Sequence, residues 1–452
     1  MTYLEAVAIL HDIELKYDVM SIKYKDVSLW NFLRLRLLDC ISVRKEVRIS
    51  ASIVKIVLKS LFYGLPFQFC RKYDLWNFTA AERRKMVGNK QIHRISGALC
   101  EIPVKSLMIE KPSQVFGHYQ KTEIEESNIL SESCMLLMTQ FFKRFSFVKS
   151  SDIKNHDIID QILADYKLEF DYMNYVRILD AQRRTMNLVL AFSRRPKIII
   201  FECPYDSMGY LWSFHEHNIK VVELQHGVLN PNHNAYNAKD YEPKLNPDAI
   251  CVFGVEEYDF FTKKASKYAK DVYLTGLYML EVADKFFKED IFAEERKQYE
   301  RIVVVSGQAG YEEQLAKYIN KVAGIINKAL FIYIPRHNDT VLNFEHDNIR
   351  LVTGVNIYQY LKWADIHITI SSTTCLEAHY FHTPTIFYDY QKMASTYYSK
   401  ILTAENAVVY LSSEVGFYEA YNHLLNGSFT FREIFAHNHK EKLYNIIYQY
   451  TK

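Results

Sequence analysis

Short apolar runs alternate with segments of helical length along most of this chain, and no other feature of the sequence constrains its fold as strongly. Each run is a few residues long and is bounded by polar or turn-forming residues, which predicts a buried strand. Strands that alternate with helices form βαβ units, so we expect parallel sheets covered by helices on both faces. The predicted strands are residues 75–79, 106–110, 197–202, 220–224, 249–253 and 271–274 in the first half, and 301–306, 330–334, 349–352, 366–370, 385–388 and 407–411 in the second.

The pattern of strands and helices restarts near residue 300, after the charged stretch 281–300. A chain of 452 residues is too long for one ordinary core, so two domains are expected. We therefore predict an α/β fold of two Rossmann-like domains, over residues 1–285 and 300–452, that face each other across a cleft. Helical patterns at the N-terminus and over residues 120–195 predict a helical insertion in the N-terminal domain. The cleft between the domains is the expected ligand site.

Composition and charge exclude several classes of protein and partner. The formal net charge is only +2 and no nucleic-acid-binding module is recognisable, so nucleic acid is not an expected partner. The seven cysteines are odd in number and lack metal-ligand spacing, which favours free thiols in a reducing compartment. No apolar run reaches the roughly 18 residues that span a bilayer, and the N-terminus lacks a secretory signal pattern. We therefore expect a cytoplasmic protein.

One segment could place the protein at the inner face of the cytoplasmic membrane. Residues 52–67 combine apolar side chains with Lys55 and Lys59 in a pattern typical of a basic amphipathic helix. Such a helix can lie in a membrane interface, which would make the protein peripheral. The alternative is a helix that packs on the sheet and leaves its two lysines in solvent.

The most informative stretch is residues 219–236, where the predicted strand 220–224 runs into Gln225, His226 and Gly227. Ligands of open parallel sheets bind beyond the carboxyl ends of the strands, so a titratable His at this edge is well placed for chemistry. Under the alternative interpretation His226 caps a loop and Gly227 only supplies a turn.

A general base is needed if this edge activates a hydroxyl group, and His226 is the first candidate. Asp206, which follows the strand 197–202, and Glu223 are alternative catalytic residues. Strand alternation places Glu223 on the same face as Gln225, so Glu223 could instead be buried structure. His233 and Tyr236 follow closely in the sequence and, with Gln225 and Gly227, are predicted to contact an acceptor.

A second candidate site follows the strand 366–370, where Ser371, Ser372, Thr373 and Thr374 lead into a predicted helix that carries Glu377. Hydroxyl groups and the backbone N–H groups of a helix start can bind an anion such as phosphate. Glu377 would lie one turn inside the helix, where its carboxylate could accept hydrogen bonds from ribose. The alternative is an ordinary capping box between Thr374 and Glu377.

Two neighbouring strand ends carry further groups that are compatible with phosphate. Strand 330–334 is followed by Arg336 and His337, and Arg offers a planar fork of donors to phosphate. Strand 301–306 is followed by Gly307 and Gln308, where a glycine allows a ligand to approach the backbone closely. We count all four residues as candidates for donor binding.

These motifs resemble those of GT-B glycosyltransferases, in particular bacterial enzymes that build capsule and lipopolysaccharide. The segment SSTTCLEA at 371–378 resembles the serine-rich donor motif of sialyltransferases and Kdo transferases, and ELQHG at 223–227 resembles a strand-end motif of capsular polysaccharide proteins. Arg336-His337 stands where those families often carry His-Pro, which leaves the donor open between CMP-linked and UDP-linked sugars. The resemblance implies that the C-terminal domain binds a nucleotide sugar and the N-terminal domain binds an oligosaccharide or lipid-linked glycan.

The resulting hypothesis is glycosyl transfer without metal or cofactor, because the sequence contains no Asp-x-Asp. Charge on the leaving phosphate would be stabilised by Arg336, His337 and the hydroxyl groups of 371–374. The alternatives are another enzyme of the same fold, such as a UDP-sugar 2-epimerase or a polyol-phosphate transferase, and a non-catalytic scaffold of a polysaccharide assembly complex.

Overall fold

Two parallel β-sheets, one in each half of the chain, organise the computed structural model of this protein. The structure describes residues 3–41, 51–64, 68–227, 229, 233–263, 267–337 and 340–452. In these ranges the strands are β1 (Lys23–Tyr24), β2 (Val27–Ser28), β3 (Leu75–Ala80), β4 (Arg84–Val87), β5 (Lys90–His93), β6 (Ser106–Lys111), β7 (Ile129–Ser131), β8 (Ile153–Lys154), β9 (Ile198–Glu202), β10 (Lys220–Leu224), β11 (Ala249–Val252), β12 (Asp271–Leu274), β13 (Arg301–Ser306), β14 (Ala329–Ile334), β15 (Ile349–Leu351), β16 (Ile366–Thr369), β17 (Thr385–Tyr388) and β18 (Val408–Leu411).

Helices cover both sheets, as the alternating pattern predicts. In the described ranges they are α1 (Tyr3–Lys16), α2 (Trp30–Ile41), α3 (Ala51–Ser60), α4 (Ser133–Arg144), α5 (His156–Asp165), α6 (Tyr172–Ala191), α7 (Met208–Glu216), α8 (Val255–Lys263), α9 (Tyr278–Phe286), α10 (Glu312–Ile325), α11 (Ile357–Trp363), α12 (Thr374–Tyr380), α13 (Met393–Tyr398), α14 (Phe417–Asn426) and α15 (His439–Thr451).

The first sheet has seven parallel strands in the order β12-β11-β10-β9-β3-β6-β7. Its strands read as continuous apolar runs because both faces are buried: α4, α6 and α7 cover one face, and α9 and α15 cover the other. From β3 the chain adds strands first on one side and then on the other. The strand order therefore reverses between β3 and β9, and such a switch point opens a crevice for ligands.

The second sheet has six parallel strands in the order β15-β14-β13-β16-β17-β18. Its order reverses between β13 and β16, which creates a second switch point. The helices α10 and α14 pack on one face of this sheet around a core of apolar side chains. The protein therefore has the predicted α/β fold of two Rossmann-like domains, and we call them the first lobe and the second lobe.

Additional helices enlarge the first lobe, as the predicted helical insertion requires. α1, α2, α5 and α6 share one apolar core with a small antiparallel sheet in the order β2-β1-β8. β4 and β5 form an antiparallel hairpin. The sequence pattern did not predict the small sheet, the hairpin or β7, because these strands are short or carry polar residues at most positions.

The last helix crosses back from the second lobe to the first. His439 Nδ1 lies 3.0 Å from the carbonyl oxygen of Gly276, and Lys440 pairs with Glu101 at 2.9 Å. α15 also contributes Leu443 and Ile447 to the core beneath the first sheet. The domain limits at residues 285 and 300 remain a prediction, and this helix shows that part of the second range packs on the first lobe.

All twelve predicted strands are confirmed to within a residue or two at each end, and the predicted helix pattern after strand 301–306 is confirmed as α10. The amphipathic segment 52–67 forms α3 and a turn up to Gly64, whereas residues 65–67 lie outside the described residues. Its contact with a membrane remains a prediction. Within the described ranges, no helix combines the length and the apolar character needed to cross a bilayer.

Candidate active site

The carboxyl edges of the two sheets face each other across a cavity of about 490 Å³. The first lobe contributes Glu202, Asp206 and His226 to its lining, and the second lobe contributes Gly307 and Arg336. The hydroxyl residues Ser372, Thr373 and Thr374 and the carboxylate of Glu377 complete the wall of the second lobe. The structure therefore brings most of the predicted catalytic and donor-binding residues to one cavity, which lies at the switch points of both sheets.

His226 lies at the edge of this cavity with one ring nitrogen hydrogen-bonded. Its Nε2 shares a hydrogen bond of 3.0 Å with the Tyr205 hydroxyl group, and its buried Nδ1 has no hydrogen-bond partner among the described residues. Burial, aided by the positive charge of Arg83, lowers the pKa of His226 well below its usual value of 6.5. The imidazole is therefore neutral at physiological pH and, without a bound ligand, resists protonation.

Three residues predicted for this edge lie beneath the cavity instead. Glu223 accepts hydrogen bonds of 2.5 Å from the hydroxyl groups of Tyr236 and Tyr268, and burial raises its pKa to about 7. Gln225 donates to the carbonyl oxygen of Gly227 and accepts from the backbone N–H of Phe253. All three side chains are buried and hydrogen-bonded within the first lobe and none lines the cavity, so the structure places them as support beneath the His226 loop and not at the predicted catalytic and acceptor positions.

Arg94 connects the two walls of the cleft. It follows the hairpin of the first lobe, and its Nη1 donates to the carbonyl oxygen of His226 at 3.2 Å. Its Nε donates to the Tyr358 hydroxyl group at 2.6 Å and its Nη2 to the Glu377 carboxylate at 2.7 Å. The two predicted edges are thus joined through a single side chain. Glu377, however, is occupied by Arg94 and Tyr358, so the predicted capping box with Thr374 is absent and ribose would have to compete for this carboxylate.

Cations converge on the cavity from both lobes. Arg83 lies 3.6 Å from Glu202, whereas Lys85, Lys111 and Arg336 have no ion-pair partner among the described residues. Burial and the nearby charges of Arg94 and Arg336 lower the pKa of Lys85 to about 8. Burial is the largest cause of this shift, and the cavity lining also includes the carboxylates of Glu82, Glu132, Glu202, Asp206 and Glu377. The three cations without an ion-pair partner are the groups available to an anionic ligand.

The hydroxyl-rich edge of the second lobe is held by hydrogen bonds across its switch point. Gln308 accepts from the backbone N–H of Ser371 at 3.0 Å and donates to its hydroxyl group at 2.9 Å. Thr374 shares a hydrogen bond of 2.7 Å with Ser306. α12 has only seven residues, so the hydroxyl groups, more than a helix dipole, are the groups available to an anion.

Gly307 makes room for a carboxylate beside this edge. A side chain at Gly307 would come within 2.4 Å of an oxygen of Glu312, which accepts hydrogen bonds from the Tyr333 hydroxyl group and from the backbone N–H of Arg336. The loop that presents Arg336 therefore depends on this glycine. His337 is exposed to solvent and does not line the cavity, so its predicted donor contact remains a prediction.

A second cavity of about 940 Å³ adjoins the first and shares Asp206 and Thr373 with it. Gly227 and His233 line it, as do Gln308 and Ser371, which we predicted as donor residues. Its remaining walls include the tyrosines Tyr205, Tyr311 and Tyr397. Because Tyr205 is bonded to His226, this ring pair stands between the two cavities.

A buried chain of hydrogen bonds reaches the cleft at the switch point of the first sheet. The Thr79 hydroxyl group donates to Glu202 Oε2 at 2.8 Å and lies 3.1 Å from His93 Nδ1. His93 Nε2 lies 3.0 Å from Glu110, whose other oxygen lies 2.7 Å from His118 Nδ1. Glu202 Oε1 has no partner and its residue lines the cavity. Asp206 was the catalytic candidate predicted after this strand, although Glu202 is the last residue of the strand itself.

Glu110 at the centre of this chain is held as a carboxylate. Burial alone would raise its pKa, but the hydrogen bonds from His118 and His93 and the charge of Arg84 lower the pKa well below its usual range. Arg84 is itself fully buried between Glu110 and Glu126, at 2.7 and 2.8 Å. The interior of this chain of hydrogen bonds is therefore held by ion pairs, and its end at Glu202 belongs to the lining of the cavity.

Comparison with known proteins gives matches of overall structure alone. No protein-family model and no curated protein sequence matches this chain. The chain is similar to the UDP-GlcNAc 2-epimerase of Methanocaldococcus jannaschii solved with UDP-GlcNAc and UDP, at 10% identity over 83% of this chain and 99% of that one, with a TM-score of 0.47. It is similar to the UDP-GlcNAc 2-epimerase of Neisseria meningitidis bound to UDP-GlcNAc, at 10% identity over 83% and 98%, with a TM-score of 0.44.

A further similar structure is the glycotransferase of kitacinnamycin, at 10% identity over 84% of this chain and 96% of that one, with a TM-score of 0.46. The two facing Rossmann-like domains give this chain a GT-B-like architecture. A fold of this kind supports several chemistries, so the function must be inferred from the residues of its own cleft.

Proposed function

We propose that this protein is a glycosyltransferase that moves a sugar from a nucleoside diphosphate sugar to a carbohydrate acceptor. The observation that carries the proposal is a set of three cations, Lys85, Lys111 and Arg336, that have no ion-pair partner among the described residues and line the same cavity as the hydroxyl groups of Ser372 and Thr373. These groups come from both lobes and meet where both sheets have their switch points. Such a site suits a ligand that is both strongly anionic and rich in hydroxyl groups.

The charge of the site favours a diphosphate over a monophosphate donor. A nucleoside diphosphate brings more negative charge to the cavity than CMP does, and it can span from Lys85 in the first lobe to Arg336 in the second. Burying Lys85 without an anion is unfavourable, as its lowered pKa indicates. Of the two donor classes that the sequence left open, we therefore propose the UDP-linked class.

The second cavity supplies the space that transfer requires and that epimerisation does not. It is lined by tyrosine rings and by Asp206, His233 and Asn234, with few cations, which suits a neutral polyhydroxyl ligand. Aromatic side chains with polar tips can pack on a sugar face and also donate hydrogen bonds. On the resemblance of the ELQHG and SSTTCLEA segments, we assign the acceptor to the surface polysaccharides.

His226 is the proposed general base, because it lines the first cavity beside Tyr205, which lines the second, and its Nδ1 has no hydrogen-bond partner among the described residues. A bound diphosphate would offset the charges of Arg83 and Arg94 and so raise the pKa of the imidazole toward the range in which it removes a proton well. Glu202 lines the same cavity with a buried carboxylate whose Oε1 has no hydrogen-bond partner among the described residues, and its negative charge would stabilise positive charge that develops there. Lys85 would stabilise the leaving diphosphate, and Arg336 would bind the diphosphate of the donor.

Nucleotide binding tests the donor site directly. UDP at one hundred times its dissociation constant should stabilise the protein by about 2.7 kcal/mol in a thermal unfolding assay, whereas CMP should bind at least tenfold more weakly by calorimetry. Lys85→Met should weaken UDP binding by about tenfold or more, because a charge-assisted hydrogen bond contributes roughly 1.5–3 kcal/mol. The matched control is Lys400→Met, an exposed lysine of the second lobe. Equal affinity for UDP and CMP would contradict the proposed donor class.

Product analysis separates transfer from the alternatives. With a UDP-sugar labelled in the sugar ring, a transferase moves the label to a glycan, a 2-epimerase yields an epimeric UDP-sugar without acceptor, and a polyol-phosphate transferase leaves a phosphodiester. A scaffold would bind no nucleotide. Label that appears only in an epimeric UDP-sugar would refute the transferase assignment and retain the donor site.

A further inference from the structure

A layer of three helices on the outside of the first lobe carries large apolar side chains that no described part of the chain covers. We call this surface the apolar face and define it by Leu58, Phe62, Phe141, Phe145, Phe147 and Phe192, whose exposures range from 49% to 87%. Single exposed apolar side chains are common on protein surfaces. Clusters of large exposed apolar side chains are unusual, and they mark interaction surfaces.

The helices that carry these residues lie side by side. α4 packs against α3 on one side and against α6 on the other. The Thr139 hydroxyl group of α4 donates to that of Thr185 on α6 at 3.1 Å, and the Arg184 guanidinium lies 4.5 Å from the ring centre of Phe142. Phe141 and Phe145 are one helical turn apart, and their ring centres lie 4.8 Å from each other. The exposed rings of α4 therefore form one cluster, and the neighbouring α3 and α6 carry the other exposed apolar side chains.

The segments that carry the exposed rings have charge of a single sign. Residues 51–64, 134–149 and 184–197 contain two, three and four Lys or Arg residues, respectively, and no Asp or Glu. The whole chain has a formal net charge of only +2, so these segments are more basic than the chain as a whole. Asp180 of α6 lies outside them and is buried, and Glu216 of α7 is paired with Arg183 at 2.9 Å. The apolar face thus lies within a basic border.

We propose that the apolar face docks the protein on a bilayer that contains anionic lipid. Aromatic rings enter the boundary between headgroups and acyl chains, while Lys and Arg side chains reach the lipid phosphates. Each basic residue near such a surface adds to the attraction, and the attraction weakens with salt. The sequence indicated only residues 52–67 as a membrane segment, whereas the larger part of this face lies on α4, α6 and the residues that follow them.

The position of the apolar face relative to the cleft indicates what membrane docking would do for the protein. The loop 112–117 runs from the cleft, where Pro112 and Gln114 line the cavity, to α3, where a side chain at Gly117 would contact Ser60 at 3.4 Å. Val115 in this loop is 78% exposed. A docked protein would therefore hold the cleft beside the membrane, where a lipid-linked acceptor is found. This last step rests on the proposed function, but the docking itself does not.

Vesicle co-sedimentation of the full chain tests the proposal. The protein should sediment with vesicles of phosphatidylcholine and phosphatidylglycerol, and should remain in solution with phosphatidylcholine alone or at high salt. The double variants Phe145→Ser/Phe147→Ser and Arg194→Glu/Arg195→Glu should each lower the partition coefficient by at least about tenfold. The matched controls Phe286→Ser and Lys400→Glu change exposed residues outside the apolar face and should bind as the unaltered protein does.

Thermal unfolding and UDP binding of each variant show that it is folded, which these exposed positions should allow. Sedimentation that is equal for the double variants and the unaltered protein would overturn the proposal. So would failure of the unaltered protein to bind the anionic vesicles, in which case the face is free for a protein partner. Neither result changes the nucleotide test, so docking and the proposed transfer can fail independently.

Discussion

The two walls of the cleft are built in different ways. In the first lobe, His226, Glu202 and Arg94 are held by hydrogen bonds to Tyr205, Thr79 and Glu377, respectively, and buried networks extend behind the first two. In the second lobe, Arg336 is exposed and Ser372 and Thr373 are half-buried with few side-chain partners. Groups that move protons or stabilise developing charge must be positioned in advance, whereas groups that bind a flexible diphosphate can adjust to it. We therefore assign catalysis to the first wall and most of the donor binding to the second.

Replacing His226 should give the largest effect, and it tests most directly whether catalysis belongs to the first wall. His226→Ala should lower turnover by about 10²–10⁴-fold, the usual contribution of a general base, with UDP affinity unchanged. Steady-state kinetics and calorimetry measure the two quantities separately. Tyr205→Phe is the matched control, because it removes one hydrogen bond to the ring and should cost much less. Near-full turnover of folded His226→Ala would exclude this residue as the base.

The buried support of the first wall can be tested through the pH dependence of stability. Glu223 has a pKa of about 7 in the folded protein, above its usual value of 4.5, so its contribution to stability is complete below pH 4.5 and is lost as the pH rises through 7. The loss amounts to roughly 3 kcal/mol, from 1.4 kcal/mol for each pKa unit. Glu223→Gln should remove this part of the pH dependence between pH 5 and pH 8 in urea unfolding. Glu169→Gln, at an exposed site, should leave the dependence as it is.

Replacing Glu202 sharpens the distinction between a catalytic and a structural carboxylate. Glu202→Gln keeps the shape and one acceptor for Thr79 but removes the charge, so turnover should fall by about ten- to a hundredfold, as expected for a charged hydrogen bond. UDP affinity should change little. If the residue only supports the buried chain, the variant will instead show a lower melting temperature with unchanged turnover, and Glu202 will have to be moved from the catalytic wall to the support behind it.

Replacing Arg336 should have the smallest effect and should concern binding alone. Arg336→Met should raise the dissociation constant for UDP by about tenfold, and turnover at saturating donor should remain within a few-fold of the original. The opposite outcome, normal affinity with low turnover, would place a catalytic group on the second wall. That result would contradict the assignment of catalysis to the first wall and donor binding to the second.

Most of the fold could be predicted from the sequence because buried parallel strands leave continuous apolar runs. The hairpin β4-β5 was missed because it is polar. Arg84 can be buried there because it pairs with Glu110 and Glu126, which are distant in sequence. A local signal was available, since Gly88-Asn89 between two short runs is a typical hairpin turn. Without this hairpin, neither Lys85 nor Arg94 could be assigned to the cleft.

The candidate site was predicted where strand ends carry conspicuous residues and was missed where distant segments meet. His226, Arg336 and the 371–374 edge follow strands directly, so their position required only the parallel topology. Glu223 was left between a catalytic and a buried role, and Tyr236 was predicted to contact an acceptor, because sequence proximity to His226 does not reveal that the two residues bond to each other beneath it. The role of Arg94 depends on contacts with residues more than a hundred positions away, which no local pattern contains.

The return of α15 to the first lobe has a mechanical consequence. The chain passes between the lobes once before β13 and again before α15, where Ala436 donates its backbone N–H to the carbonyl oxygen of Phe253 at 2.8 Å. The lobes also share one apolar core, which includes Leu277 of the first lobe and Tyr358 and Leu376 of the second. Separating the lobes would therefore expose apolar surface to water, which opposes a wide opening of the cavity.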